Sequence, residues 1–268
     1  MRDKSTINQR QLITIGVFFV ILFSCAQNAI ASPLTERLEE FPQWTSKPLV
    51  QVAKGDLEYP EWMTGTWDVT STLSEKIAPL APDIVTPGFE DNESYLNKAI
   101  AFKVRFGKEY YSPPQRLFAA LTNSKPAVVA DRAFNGEKIT KAYLGNESVY
   151  KVKVDPDDPN QQITFLKGDR QLVAKITGRA KEIPDADQFI ATEVTQQLFR
   201  SPERIYLNEV ETTSAYQLLK PGQVTANQIT AIYLSPQDPN YFKAGDRPVA
   251  LYRYRLDLKK ASKNTNIK

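Results

Sequence analysis

Apolar and polar side chains alternate over most of the chain that follows residue 64. In the first alternating segment, Trp67, Val69 and Leu73 occupy one face, while the residues between them are mostly polar. Because successive side chains of a β-strand point to opposite faces, this period of two predicts strands with one buried face. Such strands are predicted at residues 65–73, 99–106, 127–134, 148–154, 161–166, 171–176, 188–199, 204–218, 224–234 and 249–258.

Short segments rich in proline, glycine and aspartate separate the predicted strands, for example residues 167–169 and Pro221-Gly222. Short connections join antiparallel neighbours, so the strands are expected to form a meander. Short helices are predicted at residues 115–121 and 137–143, with Asn135-Gly136 as the break before the second one. The pattern therefore predicts an all-β fold, an antiparallel closed β-barrel of about eight to ten strands with one or two short helices, since closure removes exposed strand edges.

The first 31 residues have the character of an export signal. A basic start precedes an apolar run over residues 12–23, and Ala29-Ile30-Ala31 provides a small-x-small cleavage site. The run of about 12 residues is well short of the roughly 20 that a membrane-spanning helix needs. We therefore predict a signal peptide over residues 1–31. The alternative is a lipoprotein in which Cys25, after Leu22-Phe23-Ser24, is lipidated and anchors the chain.

The rest of the chain is predicted to form one domain with short flanks. Residues 32–60 contain several prolines and little periodicity, which predicts an extended N-terminal arm. The barrel domain is expected to span residues 61–260, and residues 261–268 are expected to be a disordered tail. Residues 76–97 connect two strands through a segment longer than a hairpin needs, which is typical of a lid or a binding loop.

The composition argues against several classes of function. The chain has 34 Lys and Arg residues against 31 Asp and Glu. Since these charges form no basic blocks, the sequence lacks the surface that nucleic-acid binding requires. It contains no histidine, and its one cysteine lies in the predicted signal peptide. Histidine triads, cysteine nucleophiles and the usual zinc sites are therefore not expected. We expect no cofactor, no metal, no nucleic acid and no enzymatic activity.

Gly65-Thr66-Trp67 lies at the start of the first predicted strand, antiparallel strands follow it, and Arg253 and Arg255 lie in the last one. These three features together resemble the lipocalin and wider calycin group of β-barrels. In that group an arginine from the end of the barrel stacks on the first-strand tryptophan and closes one end. The resemblance implies a lipocalin-like barrel in which Trp67 and either arginine have this structural role. The alternative is that the arginines point inward and hold the carboxylate of a ligand.

Five segments between residues 59 and 255 carry a second resemblance: Tyr59-Pro60-Glu61-Trp62-Met63-Thr64-Gly65-Thr66-Trp67, Ala130-Asp131-Arg132-Ala133-Phe134-Asn135-Gly136, Asn208-Glu209-Val210-Glu211-Thr212-Thr213, Ala231-Ile232-Tyr233-Leu234-Ser235-Pro236-Gln237-Asp238-Pro239 and Arg247-Pro248-Val249-Ala250-Leu251-Tyr252-Arg253-Tyr254-Arg255. With these segments the chain resembles a family of uncharacterised exported proteins of cyanobacteria and plastids, which is defined only as a domain of unknown function. The resemblance covers most of residues 55–258. It implies a location in the thylakoid lumen or the periplasm, and it supplies no activity.

Glutamates within predicted strands are the remaining candidates for catalytic chemistry. Glu209 and Glu211 lie two residues apart, so they share a face at a spacing of about 6.5 to 7 Å, which overlaps that of inverting glycosidases. Glu193 lies in the preceding predicted strand. We favour the interpretation that the Glu209 and Glu211 side chains are solvated or paired with arginines, because charges on strands commonly form cross-strand pairs. No catalytic residue is therefore assigned.

Tyrosines that are expected to face the barrel interior are the candidate ligand-binding residues: Tyr206, Tyr216, Tyr252 and Tyr254. A barrel of about eight strands encloses just enough room for one small ligand. The leading hypothesis is an exported, non-enzymatic protein that holds a small hydrophobic molecule such as a lipid, carotenoid or tetrapyrrole. The alternative is an interaction or assembly protein that binds a membrane-protein complex of the thylakoid lumen or the envelope.

Overall fold

The structure is a computed structural model, and it describes residues 33–110, 113–123 and 125–262. The predicted signal peptide with Cys25 lies outside these residues, as do residues 263–268 of the predicted tail. The chain from Pro33 onward forms one compact unit. In the described part of the chain, no helix is long and apolar enough to cross a membrane.

Strands form most of the domain. They are β1 (Gln51–Val52), β2 (Gly65–Ile77), β3 (Ala99–Gly107), β4 (Val129–Ala130), β5 (Val149–Val154), β6 (Gln161–Leu166), β7 (Arg170–Glu182), β8 (Gln188–Arg200), β9 (Ile205–Lys220), β10 (Gln223–Leu234) and β11 (Ala250–Lys260). The α-helices of the described residues are α1 (Pro33–Glu39), α2 (Pro113–Leu121), α3 (Arg132–Leu144) and α4 (Tyr241–Ala244).

The strands form one antiparallel sheet that curls into a half-barrel. Its order is β4, β3, β2, β11, β10, β9, β8, β7, β6 and β5, and β1 pairs with β7. The mostly β, antiparallel architecture and the meander from β5 to β11 are thus confirmed. The prediction of a closed barrel is wrong, because in the described chain β4 and β5, at the two ends of this order, do not pair with each other.

Helix α3 explains why the sheet stays open. It contacts β3 on one side of the gap and β5 and β6 on the other, so it occupies the place where the two edges would meet. The Asn135 side chain fixes it to β3, since it accepts a hydrogen bond from the Arg105 N–H (2.8 Å) and donates one to the Arg105 carbonyl (3.1 Å). Gly136 lies so close to β6 that an added Cβ would be 2.8 Å from the Gln162 amide nitrogen.

Helix α3 begins at Arg132, earlier than predicted, and Asn135-Gly136 lies inside it. The strand predicted over residues 127–134 is correspondingly short, because β4 ends at Ala130. Asp131 caps the helix, and its carboxylate accepts a hydrogen bond from the Phe134 N–H at 3.1 Å. The asparagine and the glycine therefore make close contacts with neighbouring strands and do not end an element.

Residues 33–52, which we name the N-terminal segment, cover the convex face of the sheet. It begins with α1, so the stretch predicted as an extended arm is helical at its start. Trp44 is 3% exposed and joins a buried cluster with Ile229, Ala231 and Leu251 of β10 and β11. The packed indole and the pairing of β1 with β7 hold this segment against the sheet.

The connection between β2 and β3, residues 78–98, fills one end of the concave face. Phe89 packs on Tyr252 of β11 with ring centroids 5.9 Å apart. The Tyr95 hydroxyl donates a hydrogen bond to the Tyr143 carbonyl of α3 at 3.0 Å. This connection is therefore fixed both to the sheet and to the C-terminal end of α3.

Candidate functional site

The concave face of the half-barrel and helix α3 enclose a cavity of about 480 Å³. Alternation along a strand directs every second side chain to this face. Gln228 and Thr230 of β10 are among the polar residues that line the cavity. A volume of this size is in the range of pockets that hold one small organic molecule. The apolar walls come from β2, β3 and β11: Val69, Phe102, Val104, Phe106, Leu256 and Leu258.

One face of α3 forms the opposite wall. Arg132, Asn135, Ile139 and Tyr143 line the cavity, and spacings of three and four residues place them on one side of a helix. Eleven helical steps separate Arg132 from Tyr143, which puts their backbone positions roughly 16 Å apart. The Tyr143 hydroxyl lies 3.1 Å from the Ser71 hydroxyl. The wall therefore has a guanidinium at one end, a pair of hydroxyls at the other and an aliphatic side chain between.

Arg132 is the one charged side chain among the described residues that line the cavity. Its guanidinium lies 3.1 Å from Glu193 Oε1 and 3.9 Å from Asp56 Oδ1. Arg179 approaches the same glutamate oxygen at 2.6 Å and donates to Asn160 Oδ1 at 2.9 Å. These five residues, which we name the Arg132 cluster, contain two cations and two carboxylates. The cluster joins the start of α3 to β7 and β8 without an excess of charge.

The ion pairs set the protonation of the Arg132 cluster. Burial alone would raise the pKa of the Glu193 carboxyl, but the charges of Arg132 and Arg179 outweigh burial and hold this pKa below its ordinary value. Burial alone would lower the pKa of Arg132, and the Glu193 carboxylate raises it instead. Both groups are therefore ionised at neutral pH, and Arg132 lines the cavity as a permanent cation.

Three tyrosines add neutral polar groups to the aromatic part of the wall, namely Tyr59, Tyr216 and Tyr254. Burial raises the pKa of Tyr216 to about 12. It also raises the pKa of Tyr59 and that of Tyr254 well above the ordinary value. The phenols therefore stay protonated at neutral pH, and each one offers a donor and an acceptor.

Two of the four tyrosines predicted to bind a ligand, Tyr216 and Tyr254, line this cavity. Tyr252 packs on Phe89 and accepts a hydrogen bond from the Asn92 amide at 3.1 Å. Tyr206 is half-buried near the start of β9 and is not among the described lining residues. An inward direction does not by itself place a side chain at the cavity, because the 78–98 connection fills one end of the concave face.

The predicted stacking of Arg253 or Arg255 on Trp67 is wrong. Trp67 is fully buried and donates its indole N–H to the Met63 carbonyl at 2.7 Å. In the pairing of β2 with β11, Lys260 lies opposite Trp67, and its ammonium is 5.7 Å from the ring centroid. Arg253 and Arg255 pair seven and five residues earlier in β11, which at about 3.3 Å per residue places them roughly 23 and 16 Å from that position.

Both arginines also lie away from the cavity, so the alternative role as an interior carboxylate anchor is not supported. Arg253 binds Glu75 at 3.0 Å, and its guanidinium lies 5.2 Å from the ring centroid of Phe41 in the N-terminal segment. Arg255 pairs with Asp257 at 3.2 Å. The two side chains therefore contribute to the convex face.

Glu211 is fully buried on the convex face. Arg37 of α1 donates to its two carboxylate oxygens at 2.6 and 2.7 Å. The Tyr233 and Thr213 hydroxyls donate to the same oxygens at 2.7 and 2.8 Å. The Trp44 ring covers the guanidinium, with its centroid 3.9 Å from Arg37 Cζ. We name these five residues the Glu211 cluster; its arginine comes from α1 and not from a neighbouring strand.

Glu209 lies two residues away and pairs with Lys47 of the N-terminal segment at 2.6 Å. The three glutamates considered as catalytic candidates are thus each engaged by a cation, and Glu193 lies on the opposite face of the sheet from Glu209 and Glu211. In the described residues, no group of three or more histidine, cysteine, aspartate or glutamate side chains is placed to hold a metal ion.

Helix α3 was not predicted as a wall of the site. The signal was present, since Arg132, Asn135, Ile139 and Tyr143 recur at helical spacing and Asp131 is a favoured residue for a helix start. The dipeptide Asn135-Gly136 concealed the signal, because it is common in turns. The contacts of this dipeptide with β3 and β6 are tertiary contacts, which a local sequence pattern cannot predict.

Comparison with known proteins gives a family for most of the chain. Residues 51–262 match the family model described as a domain of unknown function, DUF6816. The matched region begins at β1 and ends after β11, so it contains the whole sheet, α3 and the cavity. Neither the curated proteins nor the solved structures contain a match to the chain. The chain belongs to the DUF6816 family.

Proposed function

We propose that the protein is a non-enzymatic binding protein that holds one small, largely apolar molecule between the concave face of the sheet and α3. The observation that carries the proposal is the cavity of about 480 Å³, in which apolar and aromatic walls are interrupted by a few fixed polar groups. Ligand sites combine these properties because apolar walls supply affinity and a few polar groups set the orientation.

The charges around the cavity restrict the chemistry of the ligand. A cationic ligand would find no counter-charge, since the described lining residues include no carboxylate. A multiply charged anion would find no excess positive charge, because Glu193 already balances Arg132. A neutral lipid, or another hydrophobic molecule with single polar groups at its ends, fits best. Its acceptor oxygen would face Arg132, and its other end would face Ser71 and Tyr143.

The 78–98 connection is assigned the role of a lid at the Tyr143 end of the cavity. The Tyr95 and Tyr143 rings lie 5.7 Å apart, and the Tyr95 hydroxyl is bonded to the main chain of α3. Movement of this connection would therefore expose the end of the wall that carries the two hydroxyls.

The site of action is assigned to an exported compartment, the thylakoid lumen or the periplasm. The support is the sequence pattern of residues 1–31. The intact mass of the protein isolated from its own cells tests this assignment. Cleavage after Ala31 and a lipid on Cys25 give different masses, and a full-length protein in the cytosol would contradict export.

Two substitutions on opposite faces of β10 test the binding proposal. Thr230 lines the cavity, so Thr230→Phe should place a bulky ring inside it and displace a bound molecule by steric overlap. Thr225 lies on the other face and donates to the Leu256 carbonyl at 3.2 Å, so Thr225→Phe is the matched control. Native mass spectrometry should detect a small molecule on the parent and the control but not on Thr230→Phe. The proposal would be contradicted if the parent carried no small molecule and if the parent and both variants bound a hydrophobic dye equally well.

A further inference from the structure

Helix α2 exposes three large apolar side chains. Leu117, Phe118 and Leu121 are 63%, 66% and 77% exposed. At about 100° per residue these side chains lie within an arc of roughly 100°. Ala119 is 5% exposed and lies about 150° from the centre of that arc. The helix therefore rests on the domain through a small side chain and directs its large apolar side chains away from it.

The position of α2 makes this apolar side accessible. The helix lies in the connection from β3 to β4, whose pairing places Gly107 opposite Val129. The chain thus leaves the sheet and returns to it at the same edge. Near the start of the connection, Arg105 Cζ lies over the Tyr110 ring, 5.2 Å from its centroid. Both ends of the connection are held, and α2 projects between them.

The charges close to this helix are mostly positive, since Glu109 is the one acidic residue between Lys108 and Lys125. Residues 110–130 contain Arg116 and Lys125 and no aspartate or glutamate, although acidic residues are nearly as frequent as basic ones in the whole chain. Both cationic residues are exposed. Apolar side chains flanked by cations complement a bilayer surface with anionic head groups, where apolar groups reach the acyl boundary and cations remain among phosphates.

We propose that α2 docks on the surface of an anionic lipid bilayer and inserts Leu117, Phe118 and Leu121 at the head-group boundary. Nine residues give a helix roughly 14 Å long, which suits it to lie in the interface and not to span it. Pro113 and Arg132 line the same surface depression, so docking would bring the Arg132 end of the cavity near the bilayer. That last step rests on the proposed function, whereas docking itself does not.

Vesicle sedimentation tests the docking. The chain from Pro33 to Lys268 forms one compact unit and contains every strand of the described residues, so it can be tested without residues 1–32 and their apolar run. It should bind vesicles that contain phosphatidylglycerol more tightly than vesicles of phosphatidylcholine alone. The variant Leu117→Ser/Phe118→Ser/Leu121→Ser should bind at least about tenfold more weakly, because the apolar insertion is lost.

The matched control is Phe242→Ser, since Phe242 is 92% exposed but belongs to α4. It should bind vesicles as the parent does. The single variant Phe118→Trp gives a readout that does not depend on loss of binding, because insertion should shift its added tryptophan emission to shorter wavelength. The thermal melting of each variant is compared with that of the parent before binding is measured.

Three outcomes would overturn the proposal. The first is a parent that does not bind anionic vesicles, and the second is a triple variant that binds them as well as the parent. The third is a parent that self-associates or captures a protein through this helix, without binding vesicles, in a manner that the triple variant abolishes. That result would show that the apolar side of α2 is a protein interface.

Discussion

Buried charge occurs on both faces of this sheet, and the two clusters differ in what surrounds them. In the Glu211 cluster on the convex face, the carboxylate is fully buried and Arg37, Tyr233 and Thr213 all donate to it. In the Arg132 cluster on the concave face, the Glu193 side chain keeps 21% of its surface exposed. Its partner Arg132 lines a cavity of about 480 Å³.

This difference shows that burial and ion pairing do not by themselves identify a functional site. Glu211 is a fully buried, ion-paired carboxylate, which is often a sign of a functional site. Here, however, the Trp44 ring and α1 leave no room for a ligand beside it. Arg132 has ordinary ion-pair partners but retains one side that faces an empty volume. The space next to a charge, and not the charge alone, separates the two roles.

The largest expected effect is that of Arg37→Met, which leaves the Glu211 carboxylate buried without its cation. Removal of one partner of a buried ion pair costs about 3 to 5 kcal/mol of unfolding free energy. Urea unfolding of the variant and the parent measures this loss. Lys47→Met is the matched control, because the Lys47 and Glu209 side chains remain 31% and 18% exposed and should contribute below about 1 kcal/mol. Equal losses would contradict the role assigned to burial.

The double variant Arg37→Met/Glu211→Met should recover most of the stability lost in Arg37→Met. Replacing both partners of a buried pair by apolar groups is often close to neutral, since no charge is left without compensation. The same urea titration measures the recovery. A double variant as unstable as the single one would indicate that the packing of α1, and not the charge of Glu211, determines the loss.

On the concave face, Glu193→Gln should cost less, about 1 to 2 kcal/mol of unfolding free energy, because the amide oxygen still accepts from Arg179. The variant should also change the binding of a hydrophobic dye, since Arg132 loses its counter-charge beside the cavity. Glu209→Gln, on the convex face, should leave dye binding unchanged. A change of the same size in both variants would show that the dye does not report on the cavity.

The Arg132 cluster should also make stability depend on acidic pH. Because the pKa of Glu193 is lowered in the folded protein, its contribution is fully present above the unfolded value of about 4.3 and is lost as the pH falls through the folded value. The unfolding free energy of the parent should therefore fall more steeply than that of Glu193→Gln below about pH 4.3. Unfolding curves between roughly pH 5 and 2 measure the slopes, and parallel slopes would contradict this linkage.

The smallest effect on stability is expected for Gly136→Ala. The new Cβ would lie 2.8 Å from the end of the Gln162 side chain, which must move. Alanine gains about 1 kcal/mol in helix propensity over glycine, so the net change in unfolding free energy should stay within about 1 kcal/mol. The free energy of dye binding should change by more than the free energy of unfolding, because Gln162 lines the cavity. Glu137→Ala, at the neighbouring position, removes only the partly exposed ion pair with Lys141 and should leave dye binding unchanged. A dye affinity unaltered by Gly136→Ala would place Gln162 outside the site.

The parts of the fold that could be predicted are those that a local pattern determines. Alternation located β8 to β11 and directed Tyr216 and Tyr254 toward the concave side, because the period of two is a property of each strand alone. Which side chain lies opposite Trp67 is instead set by the register between β2 and β11. That register is irregular between Arg253 and Tyr254, and no local pattern reveals it.

Half of the candidate site escaped prediction for the same reason. Asn135-Gly136 has the local preference of a turn, and contacts with Arg105 and Gln162 from distant strands override this preference. The closed barrel was predicted because closure removes exposed strand edges, but closure depends on whether the first and last edges meet. Here a helix lies between them, and its partners are known only once the sheet is curled.

In this half-barrel, helix α3 lies between the two edges of the sheet, so no ladder of strand hydrogen bonds among the described residues holds that seam. Side-chain contacts such as those of Asn135 with Arg105 and Arg132 with Glu193 fasten α3 to its neighbours, so an outward movement of α3 would break these contacts and not the hydrogen bonds between strands. We expect the α3 amides to exchange with solvent faster than those of β8 to β10. Such a seam would let the interior open from the side, at a rate set by a few polar contacts and not by unfolding of the sheet.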